Sequence, residues 1–186
     1  VDGVPGYALE QLSEPGFDRS LLAQRGAQAV LKMIVEDGLF HADPHPGNVF
    51  YLAGNRIAFI DFGMAGRLSV RRRDEMLALL LGLVERQSQT MADVLLDWAG
   101  DDHGINLGAL ETELEDFLDQ YHDVSLADLN MGQMLADVTA ILREHGLGLP
   151  SDMALLIKAF ITLEGMGRSL DPAFHMTGEA LPLLKK

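Results

Sequence analysis

The sequence predicts a mainly α fold carrying one small β-hairpin at about residues 49–60. Three observations predict it: apolar side chains recur at helical spacing before residue 38, two short apolar runs flank a turn between 49 and 60, and the chain from residue 69 onward is patterned for helices. In order along the chain, 1–16 (VDGVPGYALEQLSEPG) is punctuated by Gly and Pro and reads as a linker. A helix follows over about 18–37. Asp18 or Ser20 can cap it, Leu21, Leu22, Ala27, Val30, Leu31, Ile34 and Val35 form its apolar stripe, and Gly38 ends it. The runs 49–52 and 57–60, on either side of Ala53-Gly54-Asn55-Arg56, read as the strands of a hairpin and are the only β structure the sequence marks. Beyond them lie an apolar helical stretch at 76–84, capping-box starts at Thr90-x-x-Asp93 and Ser125-x-x-Asp128, and a last helix from Pro150-Ser151 to near Gly165. No internal repeat and no second boundary is visible, so 1–186 reads as a single domain.

With 186 residues, 48% of them apolar, the chain is long enough to bury a core. It has no cysteine, which excludes a disulfide framework, a cysteine-zinc site and a redox thiol, and points to a reducing compartment. The longest apolar stretch, 76–84 between Glu75 and Glu85, is less than half of the roughly 20 residues a spanning helix needs. The chain starts at Val1 without a basic or apolar leader, so it is expected to carry no signal peptide and to be a piece of a longer protein. A net charge of −14 repels a phosphate backbone and argues against nucleic acid as a partner. The charge is uneven, −2 over 1–90 and −12 over 91–186, so a site for an anionic ligand is expected in the first half.

The chemistry is concentrated between His41 and Gly66. The loop His41-Ala42-Asp43-Pro44-His45-Pro46-Gly47-Asn48 precedes the hairpin and Asp61-Phe62-Gly63 follows it, so the hairpin brings Asp43, Asn48 and Asp61 to one end of a rigid scaffold. Phosphoryl transfer needs a carboxylate to accept or orient the nucleophile's proton and oxygen ligands for Mg²⁺ bridging the phosphates. The kinase pattern H-R-D-x-x-x-x-N with a later D-F-G supplies both, and Asp43, Asn48 and Asp61 have that order and spacing.

HADPHPGN, the hairpin, IDFGMAGRL and the later LEGMGRSLDP (163–172) together resemble the UbiB family of atypical kinases, also called the ADCK family, over essentially the whole chain. The resemblance implies a protein-kinase-like C-terminal lobe in which Asp43 is the catalytic proton acceptor, Asn48 and Asp61 hold Mg²⁺ and so bind the nucleotide, and ATP is the co-substrate. It further implies a role in ubiquinone (isoprenoid quinone) biosynthesis or lipid metabolism. The partners would be Mg-ATP and lipid or quinone-biosynthesis proteins, on the cytoplasmic side of a membrane that the full protein touches through parts outside this chain. By the same resemblance 1–5 is the hinge into this lobe, and the nucleotide loop, the phosphate-binding Lys and its Glu partner belong upstream, so this segment alone is expected to be inactive. Two departures from ordinary protein kinases are plain. Ala42 stands where HRD kinases have Arg, which removes control by an activation-loop phosphate, and Gly63 is followed almost at once by Arg67-Leu68-Ser69 and a helix, with no Ala-Pro-Glu anchor. Phosphoryl transfer and ATP hydrolysis both remain open. A small-molecule phosphotransferase of the aminoglycoside or choline kinase type shares the Asp-to-Asn spacing, but the His-Pro-Gly insert and 163–172 favour UbiB. A non-catalytic nucleotide-sensing module is disfavoured by the intact Asp43, Asn48 and Asp61.

Other features have plainer readings. His41, Asp43 and His45 alternate as metal ligands of a hydrolase would on a strand, but Pro44 and Pro46 argue against a strand, so His41 is read as bracing the loop and His45 is left open. Arg71-Arg72-Arg73 reads as the solvated start of a helix, although cations are unfavourable there and contact with anionic lipid or phosphate stays open. Met131, Met134, Met153 and Met166, with Trp98, read as packing. His103, His122, His145 and His175 receive no role. Glu111, Glu113, Glu115, Asp116 and Asp119 surround the stripe Leu110, Leu114, Phe117, Leu118 and Tyr121, and read as a solvated helix face.

Overall fold

In a computed structural model that describes residues 2–13, 15–100, 104–125 and 128–179, Asp18 starts the first long helix by accepting the Leu21 N–H at 3.0 Å. Helix α1 runs Arg19–Lys32, widens into a π-helical turn over Met33–Asp37 and stops at Gly38, whose φ of 65° only glycine adopts without strain. Its predicted stripe is the one it buries, with Leu22, Ala27, Val30, Leu31 and Ile34 at most 5% exposed, while Val35 faces outward. The hairpin forms as β3 (Val49–Leu52) and β4 (Arg56–Phe59), paired antiparallel with Val49 opposite Phe59. Gly54 and Asn55 in its turn both have positive φ. Arg25 of α1 donates to the carbonyls of both, and the Asn55 side chain accepts the Asp18 N–H at 2.7 Å. The hairpin is therefore fixed to α1 at its turn end.

The β structure is wider than the periodicity marks. Val4–Pro5 (β1) adds to β3, and Leu39–His41 (β2) pairs with Ala65–Arg67 (β5), so there is a three-stranded sheet in the order β1-β3-β4 and a two-stranded one. Strands of two or three residues are too short to show alternation. The segment 1–16, read as linker, is tied down: the Gly6 N–H reaches the Val49 carbonyl at 2.8 Å, and Ala8 and Leu12 are buried.

Among the described residues five helices follow β5: α2 (Val70–Glu85), α3 (Ser88–Ala99), α4 (Leu107–Gln120), α5 (Met131–Glu144) and α6 (Ser151–Leu170). Both capping-box expectations need correction. Arg86 takes left-handed φ and ends α2, and α3 starts directly after Gln87, so Thr90 lies in its first turn and donates to the Gln87 side chain. Ser125 and Asp128 do exchange hydrogen bonds of the capping type, at 2.6 and 3.3 Å, but they close a turn; α5 starts later, capped by Asn130. The same side-chain bonds suit a turn or a helix start, which is why the spacing misleads. Helix α6 extends past Gly165 to Leu170 because Leu163, Gly167 and Leu170 continue its buried face, with the Phe174 ring filling the space where Gly167 lacks a side chain. Met131, Met134, Met153 and Trp98 are core residues and Met166 packs against that core. His103 lies outside the described residues.

Helix α2 breaks the pattern of the others. None of the described apolar side chains in its 76–84 stretch is buried. It packs on α3 and, on the side facing α1, α5 and α6, borders an apolar cavity of about 390 Å³.

Candidate functional site

The loop between β2 and β3 is built on His41. Its ring is fully buried; Nδ1 accepts the Asp43 N–H at 3.0 Å, so Nε2 carries the proton and donates to the Ile60 carbonyl at 2.7 Å. One imidazole thus joins the backbone of the residue at Asp43 to the backbone just before Asp61. The Phe62 ring lies 4.8 Å from it, centroid to centroid, and the Phe59 ring 6.3 Å. The bracing reading of His41 holds, and with both nitrogens engaged it is not a metal ligand.

Asn48 is buried and completes the link. Its side-chain N–H₂ donates to the Asp43 carbonyl at 3.0 Å, and its own carbonyl accepts the Ile60 N–H at 2.9 Å. With the amide nitrogen committed, Oδ1 is the atom left to ligate. Asp61 sits at φ 57°, a left-handed conformation that Asp tolerates at a cost of about 1–3 kcal/mol. It is exposed, and among the described residues its one side-chain hydrogen bond is from the Gly63 N–H to Oδ1 at 3.3 Å, which leaves Oδ2 available. Asp43 and Asn48 are therefore joined to each other and to Ile60, the residue before Asp61, through one side-chain bond, one backbone bond and one imidazole.

His45 also belongs here, which the sequence does not reveal. It caps the short turn Pro46–Asn48 through the Gly47 N–H, and its Nε2 lies 3.7 Å from the half-exposed Asp43 carboxylate. Ala42 is buried, and its N–H bonds the Met64 carbonyl; the Arg that protein kinases carry at this place would have no room. The chain after Gly63 enters β5 at once and returns to β2.

Two hard oxygen donors on a rigid base suit Mg²⁺, which takes one or two protein ligands and completes its shell with water and phosphate oxygens. Among the described residues no three His, Cys, Asp or Glu side chains converge as an all-protein cage.

The basic run is mostly not solvated. Arg71, exposed, pairs with Glu75, while Arg72 bridges Glu75 and Asp152 at 2.8 and 3.1 Å. Glu75 also accepts the Trp98 indole N–H at 2.6 Å. Burial alone would raise the Glu75 carboxyl, but the donors of Arg72, Arg71 and Trp98 outweigh it and hold it below the ordinary value. Arg73 turns back to the carbonyls of Val35 and Glu36 at the end of α1, where a cation suits the helix dipole. Long-range partners of this kind leave no mark in local sequence.

Residues 1–95 match the model of the ABC1 atypical kinase-like domain, and 114–175 match that of the UbiB helical domain. The chain is 34% identical over 90% of its length to an uncharacterized Synechocystis sp. protein, slr0889, and covers 42% of it. It is 34% identical over 98% of its length to the Arabidopsis thaliana protein ACTIVITY OF BC1 COMPLEX KINASE 7, chloroplastic, covering 26% of that chain. A second Synechocystis sp. protein, sll0005, is 30% identical over the full chain, which spans 27% of it. The chain thus spans about a quarter to two fifths of the length of these relatives.

Proposed function

Because this chain belongs to the ABC1 atypical kinase-like family, also known as UbiB or ADCK, we propose that it forms the catalytic lobe of an ATP- and Mg²⁺-dependent enzyme. Asp43 accepts or orients the proton of the attacking hydroxyl or water; Asn48 Oδ1 and the Asp61 carboxylate hold the Mg²⁺ that arrives with the nucleotide, and the metal neutralises charge developing on the phosphates. The observation that supports this reading best is the hydrogen-bonded link from Asp43 through Asn48 and His41 to Ile60, next to Asp61. The enzyme's chemistry is ATP hydrolysis or phosphotransfer in the service of isoprenoid-quinone or lipid metabolism, carried out by a full-length protein that works beside a membrane. Among the described residues no helix is long and apolar enough to cross one.

The test is a calorimetric titration of Mg-ATP into the full-length protein. Asp61→Asn is expected to abolish Mg²⁺-dependent binding with unchanged helical content, and Asp43→Asn to lower turnover more than affinity, since a base acts in the transition state. Wild-type turnover in Asp61→Asn would overturn the assignment.

A further inference from the structure

His45 is held more firmly than its half-exposed side chain suggests. It stands between the buried Pro44 and the exposed Pro46, and a residue before proline is kept out of the helical region; its φ of −68° and ψ of 162° are the extended backbone left to it. The ring lies over Gly47, whose N–H donates to Nδ1 at 3.0 Å, and a Cβ at position 47 would stand 2.7 Å from the ring carbon between the two nitrogens. Gly47 leaves the room that the ring occupies. With Nδ1 accepting, the neutral ring carries its proton on Nε2, and that nitrogen lies 3.7 Å from Oδ2 of Asp43. Asp43 itself is gripped by its backbone, its N–H by His41 and its carbonyl by Asn48. Its half-exposed carboxylate is free to turn, and among the described residues His45 is the one basic side chain within ion-pair reach of it.

We propose that His45 is a positioning residue for Asp43. Its Nε2–H donates to Oδ2 when substrate closes the site, which turns Oδ1 towards the attacking hydroxyl or water; the proton of that nucleophile goes to Oδ1, and the imidazole gives none up. The gap of 3.7 Å is longer than a hydrogen bond, as the bonds of a catalytic group often are until substrate tightens them. A base held in line, rather than one that samples both of its oxygens, gains rate in the transition state and nothing in nucleotide affinity. The proposal rests on Asp43 being the proton acceptor.

Two substitutions separate this role from that of a turn cap. His45→Asn keeps an acceptor at the depth of Nδ1 for the Gly47 N–H and loses the donor facing Asp43; His45→Gln carries an amide N–H₂ to the depth of Nε2 and gives up the cap. In ATP turnover by the full-length protein, His45→Asn is expected to lower kcat about tenfold with the KM for Mg-ATP unchanged, the loss of one hydrogen bond to a charged group, while His45→Gln stays within about threefold of wild type. Urea unfolding should rank them the other way, His45→Asn at least as stable as wild type and His45→Gln less so. Adding His45→Asn to Asp43→Asn should cost nothing further, because a positioning residue has nothing to position once the base is gone. The proposal is overturned if turnover follows stability, with His45→Gln the slower of the two; if His45→Asn raises KM and leaves kcat alone, which would make the ring a nucleotide contact; or if it lowers turnover as much in the Asp43→Asn background as in the wild type. Wild-type turnover in Asp43→Asn would overturn the assignment of Asp43 itself, whereas a slow Asp43→Asn beside a fast His45→Asn would overturn His45 alone.

Discussion

Replacing His41 by Ala tests the claim that one imidazole holds the site together. The substitution orphans the Ile60 carbonyl and the Asp43 N–H, which now bond the ring at 2.7 and 3.0 Å. Each buried group left unpaired costs about 1–3 kcal/mol. The aromatic contact with Phe62 at 4.8 Å adds about 0.5–1.5 kcal/mol. Asp43 is partly exposed, so water can reach its N–H and the low end applies there; the expected loss is about 3–4 kcal/mol, among the larger effects of single substitutions. Urea unfolding reads it directly: with a slope of about 1–3 kcal/mol per molar, the midpoint should fall by more than about 1 M with the slope unchanged. His45→Ala is the internal control. That side chain is about half exposed, at 49%, its approach to Asp43 is 3.7 Å, and its capping bond from the Gly47 N–H is open to water, so it should cost about 1 kcal/mol. If His41→Ala loses no more than His45→Ala, the ring does not hold the loop and the link from Asp43 to Asp61 fails with it.

Other consequences follow from the same packing. Gly66→Ala would place a methyl 2.0 Å from the buried Phe40 ring opposite it in the β2–β5 pair, so it should destabilise by about 1–3 kcal/mol in the same urea assay. Burial pushes the Tyr51 hydroxyl up to about 12 against Arg19, which lowers it. The unfolded chain therefore releases this proton first, near pH 10, and the stability, fully present below pH 10, is lost as pH rises towards 12, by roughly 2–3 kcal/mol; thermal unfolding between pH 9 and 12 should show a shallower decline in Tyr51→Phe. Glu75 has the opposite sign: its carboxyl is held low, so its contribution is present above the ordinary 4.5 and is lost as pH falls through the folded value. Glu75→Gln should flatten the acid limb of the stability curve, and an unchanged limb would show that the Arg72 and Trp98 bonds contribute nothing.

What was legible in sequence shares a physical character. The Asp43, Asn48 and Asp61 set can be read as a pattern because two of its members lie within one loop and the third follows a hairpin with an evident turn. The α1 stripe, its Asp18 cap and its Gly38 stop are likewise local. What escaped depends on partners far along the chain. Strands β1, β2 and β5 exist only through pairing, and the Phe62 ring lies on His41 across about twenty residues. Arg73 looks like a solvated helix start until the carbonyls 37 and 38 residues away are in view. The Ser125–Asp128 turn fails for another reason: its bonds form as expected, yet the helix they would start begins elsewhere.

The Asp43, Asn48 and Asp61 group and the helical half of the chain meet at one short stretch of backbone. After Asp61 the chain lays Phe62 on His41, pairs β5 with β2, and gives the Leu68 N–H to the Gly38 carbonyl at 2.7 Å before entering α2. Five residues after Leu68, Arg73 reaches back to the end of α1 beside the same Gly38, where any added side chain would stand 2.8 Å from the Leu68 carbonyl. A nucleotide ordering Asp61 would therefore bear on the start of α2 through this run of backbone, which two antiparallel strands and the Leu68 and Arg73 bonds hold against the end of α1. Because Met76, Ala78, Leu79 and Leu83 of α2 only partly bury themselves against the core, the run from Asp61 to Arg73 carries that connection more directly than the core does.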